Sequence, residues 1–403
     1  MRHVLASLIL ILAISAVAQT APTSATVPIT LDHNRIIIDV RFPMPDGSKK
    51  RVRAWVDNGT PEMEVTAELA RTLGLHGDPP AKNTEVLSVQ PPQDIIVGGM
   101  TIHPSDLTEA KAVVGRDSIA PGSSAEINLP STVLRHYDIV IDYLNRELTI
   151  AAPGTLHFEG ESAKAIVNSQ NGLVQIASMV GGEKQNLGLD LGASWSFLSS
   201  EVVTKLEKAN PQWPRMSSAV GSANMWGQEA EAHWSLLRLP TIQYGPLTLN
   251  DVGVAAFSAE TMSFFAKRAG VTTAGLIGAN ALLNYRVGLD YAHGTVYFKQ
   301  TSKHRPPDMD VVGLVLRPEP DGHYTVMGVA DFDGKPSVPD VKPGDVLVSI
   351  DGTPPTGGTM GQTWSLLGGS PGDVRTLVLE RSGKQFTVQA TVHRFLSEEP
   401  AKP

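Results

Sequence analysis

Short runs of alternating apolar and polar residues cover most of this chain, the period-2 signature of half-buried strands. Residues 35–42 are β-rich, Met44-Pro45-Asp46-Gly47 is a turn, and residues 51–56 alternate again. A short helix is predicted over 66–75, with Thr66 as N-cap and Gly74 just past its end. Short strands resume from Glu85 to Val114 around a Gly98-Gly99 turn, and 116–125 reads as a loop. Residues 127–150 close the segment as a short helix, a strand, an Asn145-Arg146 turn and another strand.

The same order then returns. Strands run from Ala165 to Ala177, a helix is predicted over 200–209, and more strands lead to Phe257. The closing stretches share a pattern: Leu134-Arg135-His136-Tyr137-Asp138-Ile139-Val140-Ile141-Asp142-Tyr143 matches Leu282-Leu283-Asn284-Tyr285-Arg286-Val287-Gly288-Leu289-Asp290-Tyr291. This is an internal duplication with a long period, not a solenoid. A Pro-rich linker at 300–308 separates it from a smaller unit of strands and one helix, predicted near Met360–Leu367. The expected division is 1–18 signal peptide, 19–25 flexible leader, 26–152 and 153–299 as two lobes, 300–308 linker, 309–396 third unit and 397–403 disordered tail.

Composition agrees with many short strands. The chain has 403 residues, too many for one ordinary core, with 37 Gly and 29 Pro. A formal charge of −8 and the lack of a basic cluster argue against nucleic-acid binding. With no Cys there is no disulfide, thiolate nucleophile or Cys-based metal site. Arg2 and His3 precede an apolar run, Val4 to Val17, ending in Ala16-Val17-Ala18. That run is too short to span a bilayer, and it ends in an A-x-A site. Cleavage is expected after Ala18, leaving an exported protein, periplasmic or secreted, with no stable membrane span.

Each half carries one short apolar run that delivers an Asp into a tight turn: Ala54-Trp55-Val56-Asp57-Asn58-Gly59-Thr60, and Leu187-Gly188-Leu189-Asp190-Leu191-Gly192-Ala193-Ser194. One Asp-x-Gly is ordinary turn chemistry. Two in matching surroundings can bring two carboxylates together. Such a pair cannot easily ionise twice, so one proton is shared. The ionised partner activates a water, and the protonated partner donates to the developing oxyanion. Gly59 and Gly192 are expected to permit close approach, and Thr60 to bond the Asp57 carboxylate, with Ser194 in a similar place in the second half.

At these residues the chain resembles the two-lobed, pepsin-like aspartic proteases, of the bacterial type built from two retropepsin-like halves. The resemblance covers about residues 26–300. It implies a mainly β fold of two pseudo-twofold-related β-barrel lobes, with Asp57 and Asp190 catalytic. Asn58, Gly59, Thr60, Leu191, Gly192, Ala193 and Ser194 would support them. It implies no cofactor, no metal and a polypeptide substrate lying extended across the cleft. The apolar-apolar-Gly segments of that family are matched by Ile127-Asn128-Leu129-Pro130 and Leu276-Ile277-Gly278. Three positions depart from the pattern: Asn58 and Leu191 replace the usual hydroxyl residue, and Pro130 replaces Gly. The third unit resembles a bacterial PDZ domain, a small α+β fold, through Lys342-Pro343-Gly344-Asp345-Val346-Leu347-Val348-Ser349-Ile350-Asp351-Gly352. This implies capture of a C-terminal peptide near Val312, Gly313, Leu314 and Val315, with strand addition. A docking module that binds nothing free is the equal alternative.

Two readings of function stay open on the sequence: an endopeptidase, or a catalytically decayed peptide-binding protein. Trp226 is a candidate for a flap over the cleft, or a core or surface-loop residue. Asp142 and Asp290 read as hairpin-end residues. His136, His233 and His293 lack metal-ligand spacing.

Overall fold

The computed structural model describes residues 22–77, 87–115, 119, 122–270, 272–303 and 308–397. The expected signal peptide, residues 19–21 of the expected leader, 304–307 of the linker and the tail beyond residue 397 lie outside the described residues; the leader is not flexible throughout, because Ser24 and Ala25 open the strand Ser24–Pro28.

The fold begins with a hairpin. Strand Arg35–Pro43 lies antiparallel to Lys49–Asp57, with Ile37 opposite Trp55. Alternation sends Val52, Ala54 and Val56 into the core, and the strand ends on Asp57. Strand Ile127–Pro130 then runs parallel to it, setting Pro130 beside Asp57. Met63–Val65 pairs antiparallel with Ile127–Pro130 and parallel with Ala112–Val114.

The second half repeats this arrangement. Gly275–Ile277 lies parallel to Glu183–Leu189. Ser196–Ser199 pairs antiparallel with Gly275–Ile277 and parallel with Leu247–Phe257. The halves meet where strand Asp138–Asp142 pairs antiparallel with Tyr285–Asp290, Asp138 opposite Asp290. Glu147–Ala151 and Thr295–Gln300 flank that junction, with Ser24–Pro28 and Glu161–Val167 outside them, so strand order mirrors about the seam. The chain is mainly β, with a 13-stranded and a 9-stranded barrel-like sheet. Each repeat of this topology puts one Asp at the end of a core strand, on either side of the junction.

Local chemistry sets the helices. The Thr66 side chain accepts the Leu69 N–H, and Gly74 takes φ 65° past helix Ala67–Leu73. Ser199 caps Ser200–Ala209 in the same way. Helix Ala259–Ala269, capped by Ser258 and ended by Gly270 at φ 65°, is absent from the pattern reading. Pro130 sits at φ −81°, ψ 169°, an extended conformation natural to its ring.

The third unit is a five-stranded sheet ordered Leu314–Pro318, Tyr324–Val329, Val346–Ile350, Val374–Arg381, Lys384–Thr391. Helix Met360–Leu367 accompanies it, opened by a Thr359/Gln362 capping box. The Lys342–Asp345 turn has a structural cause. Asp345 is 1% exposed, accepts the Lys342 N–H at 2.8 Å, and meets Arg381 in a two-point contact at 2.6 and 2.7 Å. The unit is continuous with the second lobe, because Trp195, Phe197 and Leu236 share one apolar cluster with Leu314, Leu316 and Trp364. Arg238 reinforces that join. Its guanidinium reaches Asp308 at 2.9 and 3.0 Å, and its Nε donates to the Leu396 carbonyl at 3.1 Å.

Candidate active site

Both Asp turns fold around their own carboxylates. Gly59 N–H donates to Asp57 Oδ1 at 3.0 Å. Gly192 and Ala193 N–H donate to Asp190 Oδ1 at 2.8 and 3.0 Å. Thr60 acts on the Asp57 carboxyl by drawing its pKa down. Asp57 is 3% exposed, and Asp190 is half-buried.

The two turns close on one another. A Cβ on Gly59 would stand 2.2 Å from Asp190 Oδ2, and one on Gly192 would stand 2.5 Å from Asp57 Oδ1. Neither glycine takes positive φ. Their lack of a side chain is therefore explained by close approach, each loop leaving room for the opposite carboxylate.

Asn58 supplies the link between loops. Its Nδ2 donates to the Leu189 carbonyl at 2.9 Å, and its Oδ1 accepts the Leu191 N–H at 2.7 Å. One buried carboxamide thus meets a carbonyl and an N–H on either side of Asp190. Leu191, 1% exposed, contributes packing to the main core. At these two positions the chain places one two-way amide and one apolar contact.

The electrostatics follow from this geometry. Burial, and then the Asp190 charge, push the Asp57 carboxyl up to about 8, against the opposing pull of Thr60 and the Gly59 N–H. Burial raises Asp190 to about 6, opposed by the N–H groups of Gly192 and Ala193. Both carboxyls are raised and lie close together, which favours one proton shared by the pair.

Other expected residues fall differently. Ser194 donates its hydroxyl to the Ser222 carbonyl at 3.0 Å and so serves the neighbouring segment, not the Asp190 carboxylate. Trp226 packs against Trp234, Phe257 and Phe265 at ring distances of 5.7, 5.5 and 6.2 Å, an aromatic cluster and not a flap. Asp142 accepts the Asn145 N–H and Asp290 the His293 N–H, as hairpin-end residues do. His136 bonds Glu109 at 2.6 Å. Among the described residues no group of three acidic or imidazole side chains could hold a metal.

The stretch Val312-Gly313-Leu314-Val315 does not open as a carboxylate cradle. All four residues are buried. Val312 N–H donates to the Leu367 carbonyl and Leu314 N–H to the Val312 carbonyl, both at 2.9 Å. Those donors are satisfied inside the unit.

A second polar cluster was not foreseen. Arg35, 3% exposed, lies over the Trp55 ring at 5.5 Å and donates to the Met225 carbonyl. Burial pushes its pKa down from the ordinary value, and the charges of Asp32, Glu231 and Asp57 oppose that shift. Glu231 is fully buried and is pushed up to about 7 by that burial, although Trp226 and Gly227 N–H, Asn224 and Arg35 oppose the shift. A charged residue heading the apolar run Ile36-Ile37-Ile38 was the available signal.

No protein-family profile and no curated protein sequence matches this chain. Among solved structures, it is similar to an aspartic proteinase from Irpex lacteus at 12% identity and a TM-score of 0.41, over 70% of this chain and 99% of that one. It is also similar to a photosystem II D1 C-terminal processing protease at 24% identity and a TM-score of 0.18. That match takes in 21% of this chain and spans only 23% of the other. At these scores the functional argument rests on the geometry of the site.

Proposed function

We propose that the chain is an exported aspartic-type endopeptidase, retropepsin-like in each half, with Asp57 and Asp190 as its catalytic pair. The observation that carries this reading is the reciprocal fit of Gly59 against Asp190 and Gly192 against Asp57. A turn that merely ends a strand has no need of a bare glycine facing a second carboxylate.

In this reading the pair holds a water between its carboxylates. The ionised member takes a proton as the water attacks the peptide carbonyl, and the protonated member donates to the forming oxyanion. Collapse of the tetrahedral species breaks the C–N bond, with a proton passing to the leaving amine. No covalent acyl-enzyme forms. Asn58 and Thr60 hold the loops in register so that both carboxylates address the same water. The third unit, PDZ-like in its 342–352 motif, would recruit or position polypeptide. Export to the periplasm or the medium follows from the signal-like N-terminus.

Cleavage of an unstructured protein substrate from pH 4 to 9, by the mature chain and by Asp57→Asn and Asp190→Asn, tests the assignment. Loss of cleavage in both variants is expected. Cleavage that survives either substitution would overturn the assignment of the pair, and no cleavage under any condition would point instead to a decayed peptide-binding protein.

A further inference from the structure

Strand Leu314–Pro318 is the edge of the third unit's sheet, with a partner strand on one side only. Edge strands offer unpaired N–H and C=O groups to an added peptide. Here the edge is already engaged from within the chain. Leu316 N–H donates to Asn224 Oδ1 at 2.9 Å, and Asn224 is fully buried. The helical turn Gly221–Ala223 packs against helix Met360–Leu367, and the turn Glu229–His233 packs against the edge strand and its neighbour. Residues 220–227 therefore run between the edge strand and the helix.

The fit is a built one. Val220, Ala223 and Met225 are each at most 1% exposed and join a single apolar cluster with Leu314, Leu316, Met360 and Leu367. A Cβ on Gly221 would stand 3.6 Å from the Val311 side chain, and one on Gly227 would stand 2.7 Å from Pro318. Apolar side chains fill the groove and a side-chain amide oxygen replaces a strand carbonyl, which are the two contributions a strand-adding peptide makes.

The same segment is gripped from its other face by the first lobe. The Asn224 carbonyl bonds His33 Nε2 at 2.8 Å, and the Met225 carbonyl takes Arg35. Asp32 meanwhile accepts from Thr359 Oγ1 at 2.7 Å and from Gly361 N–H at 3.1 Å, at the start of the groove helix. Arg35 also lies over the Trp55 ring at 5.5 Å, two residues before Asp57 on the same strand.

We propose that the groove between strand Leu314–Pro318 and helix Met360–Leu367 is a peptide site whose resident ligand is this chain's own 220–227 segment. An external extended polypeptide binds there only by displacing that segment. Displacement releases the His33 and Arg35 contacts, and because Arg35 lies over Trp55 in the strand that ends on Asp57, occupancy of the groove by another chain is felt at the carboxylate pair.

The test is binding of a synthetic peptide with the sequence of residues 219–227, fluorescently labelled, to the full chain by anisotropy. An Asp57→Asn background prevents cleavage and makes the readout independent of catalysis. The native segment should hold the groove closed, and Asn224→Ala combined with Met225→Ala should tighten peptide binding at least tenfold. Equal binding to both proteins, or binding to neither, overturns the proposal. Hydrogen exchange at the Leu316 amide of the otherwise native chain gives a second reading that needs no destabilised variant. Slow exchange is expected, and free exchange at that amide contradicts a resident ligand. Neither result depends on whether the chain cleaves peptide bonds, so failure here is distinct from failure of the endopeptidase assignment.

Discussion

Asn58 Oδ1 accepts the Leu191 N–H at 2.7 Å while its Nδ2 donates to the Leu189 carbonyl at 2.9 Å. One side chain thereby ties the first Asp loop to the backbone flanking the second Asp. Asn58→Ala leaves a buried N–H and a buried carbonyl without this partner, a cost of about 2–4 kcal/mol. Turnover should fall at least tenfold in the variant that remains folded, since the carboxylates lose their register. Asn58→Thr restores a hydroxyl and should recover part of both losses. Denaturant melts and steady-state kinetics on the two variants check this, and equal behaviour of Ala and Thr would contradict it.

Gly59 tests the close approach. In Gly59→Ala the new methyl falls where Asp190 Oδ2 stands, so the carboxylate must move. The expected result is loss of turnover by about 100-fold or more, with a stability loss of only about 1–3 kcal/mol. Thermal melts beside peptide cleavage separate the two effects. Full activity in this variant would mean the glycine faces no functional carboxylate.

The raised Asp57 pKa makes a signed prediction for stability. Folding lifts this carboxyl to about 8, so the folded chain holds its proton more tightly than the unfolded chain does. Its contribution is favourable below the ordinary carboxyl range, near pH 4, and is lost as pH rises toward 8. Asp57→Asn keeps an oxygen to accept the Gly59 N–H and removes the titration. Its Tm relative to the native chain should therefore rise between pH 4 and pH 8, by about 4 °C or more. A difference that is flat or opposite in sign across that range contradicts a buried, proton-sharing Asp57.

The third unit should lose stability through Asp345. Arg381→Met removes both of its guanidinium contacts and leaves a carboxylate that is 1% exposed with the Lys342 N–H. A destabilisation of about 1–3 kcal/mol is expected in denaturant melts. Asp345→Asn combined with Arg381→Met should recover part of it. No change in the single variant would show that water already serves this carboxylate.

The duplication was legible because its signals are local. Thr66 and Gly74 bracket a helix through capping chemistry, and Ser199 opens the next one. The Lys342-Pro343-Gly344-Asp345 turn likewise carries its own hydrogen bonds. The two Asp turns could be paired because the same closing hairpin follows each. What the residues could not reveal depends on distant partners. Ser194 was expected beside Asp190, yet its hydroxyl is drawn to Ser222 by a segment that packs from another part of the chain. Asn58 could be read as a residue able to bond across the loops, but its partners at Leu189 and Leu191 were not readable, because they become neighbours only when the lobes close. Arg35 lies far along the chain from the segment that holds Asn224 and Glu231 and meets it only through tertiary packing. Helix Ala259–Ala269 is a different case, since Ser258 and Gly270 were readable caps that the strand-rich surroundings obscured.

The central claim is that Asp57 and Asp190 share one proton and act on one water. The pH dependence of kcat/KM for peptide cleavage tests it most directly. A bell is predicted, with its acid limb near pH 6 and its alkaline limb near pH 8. Asp57→Asn and Asp190→Asn should each abolish it. Cleavage with a single limb, or a bell that persists in either variant, would contradict the shared-proton pair.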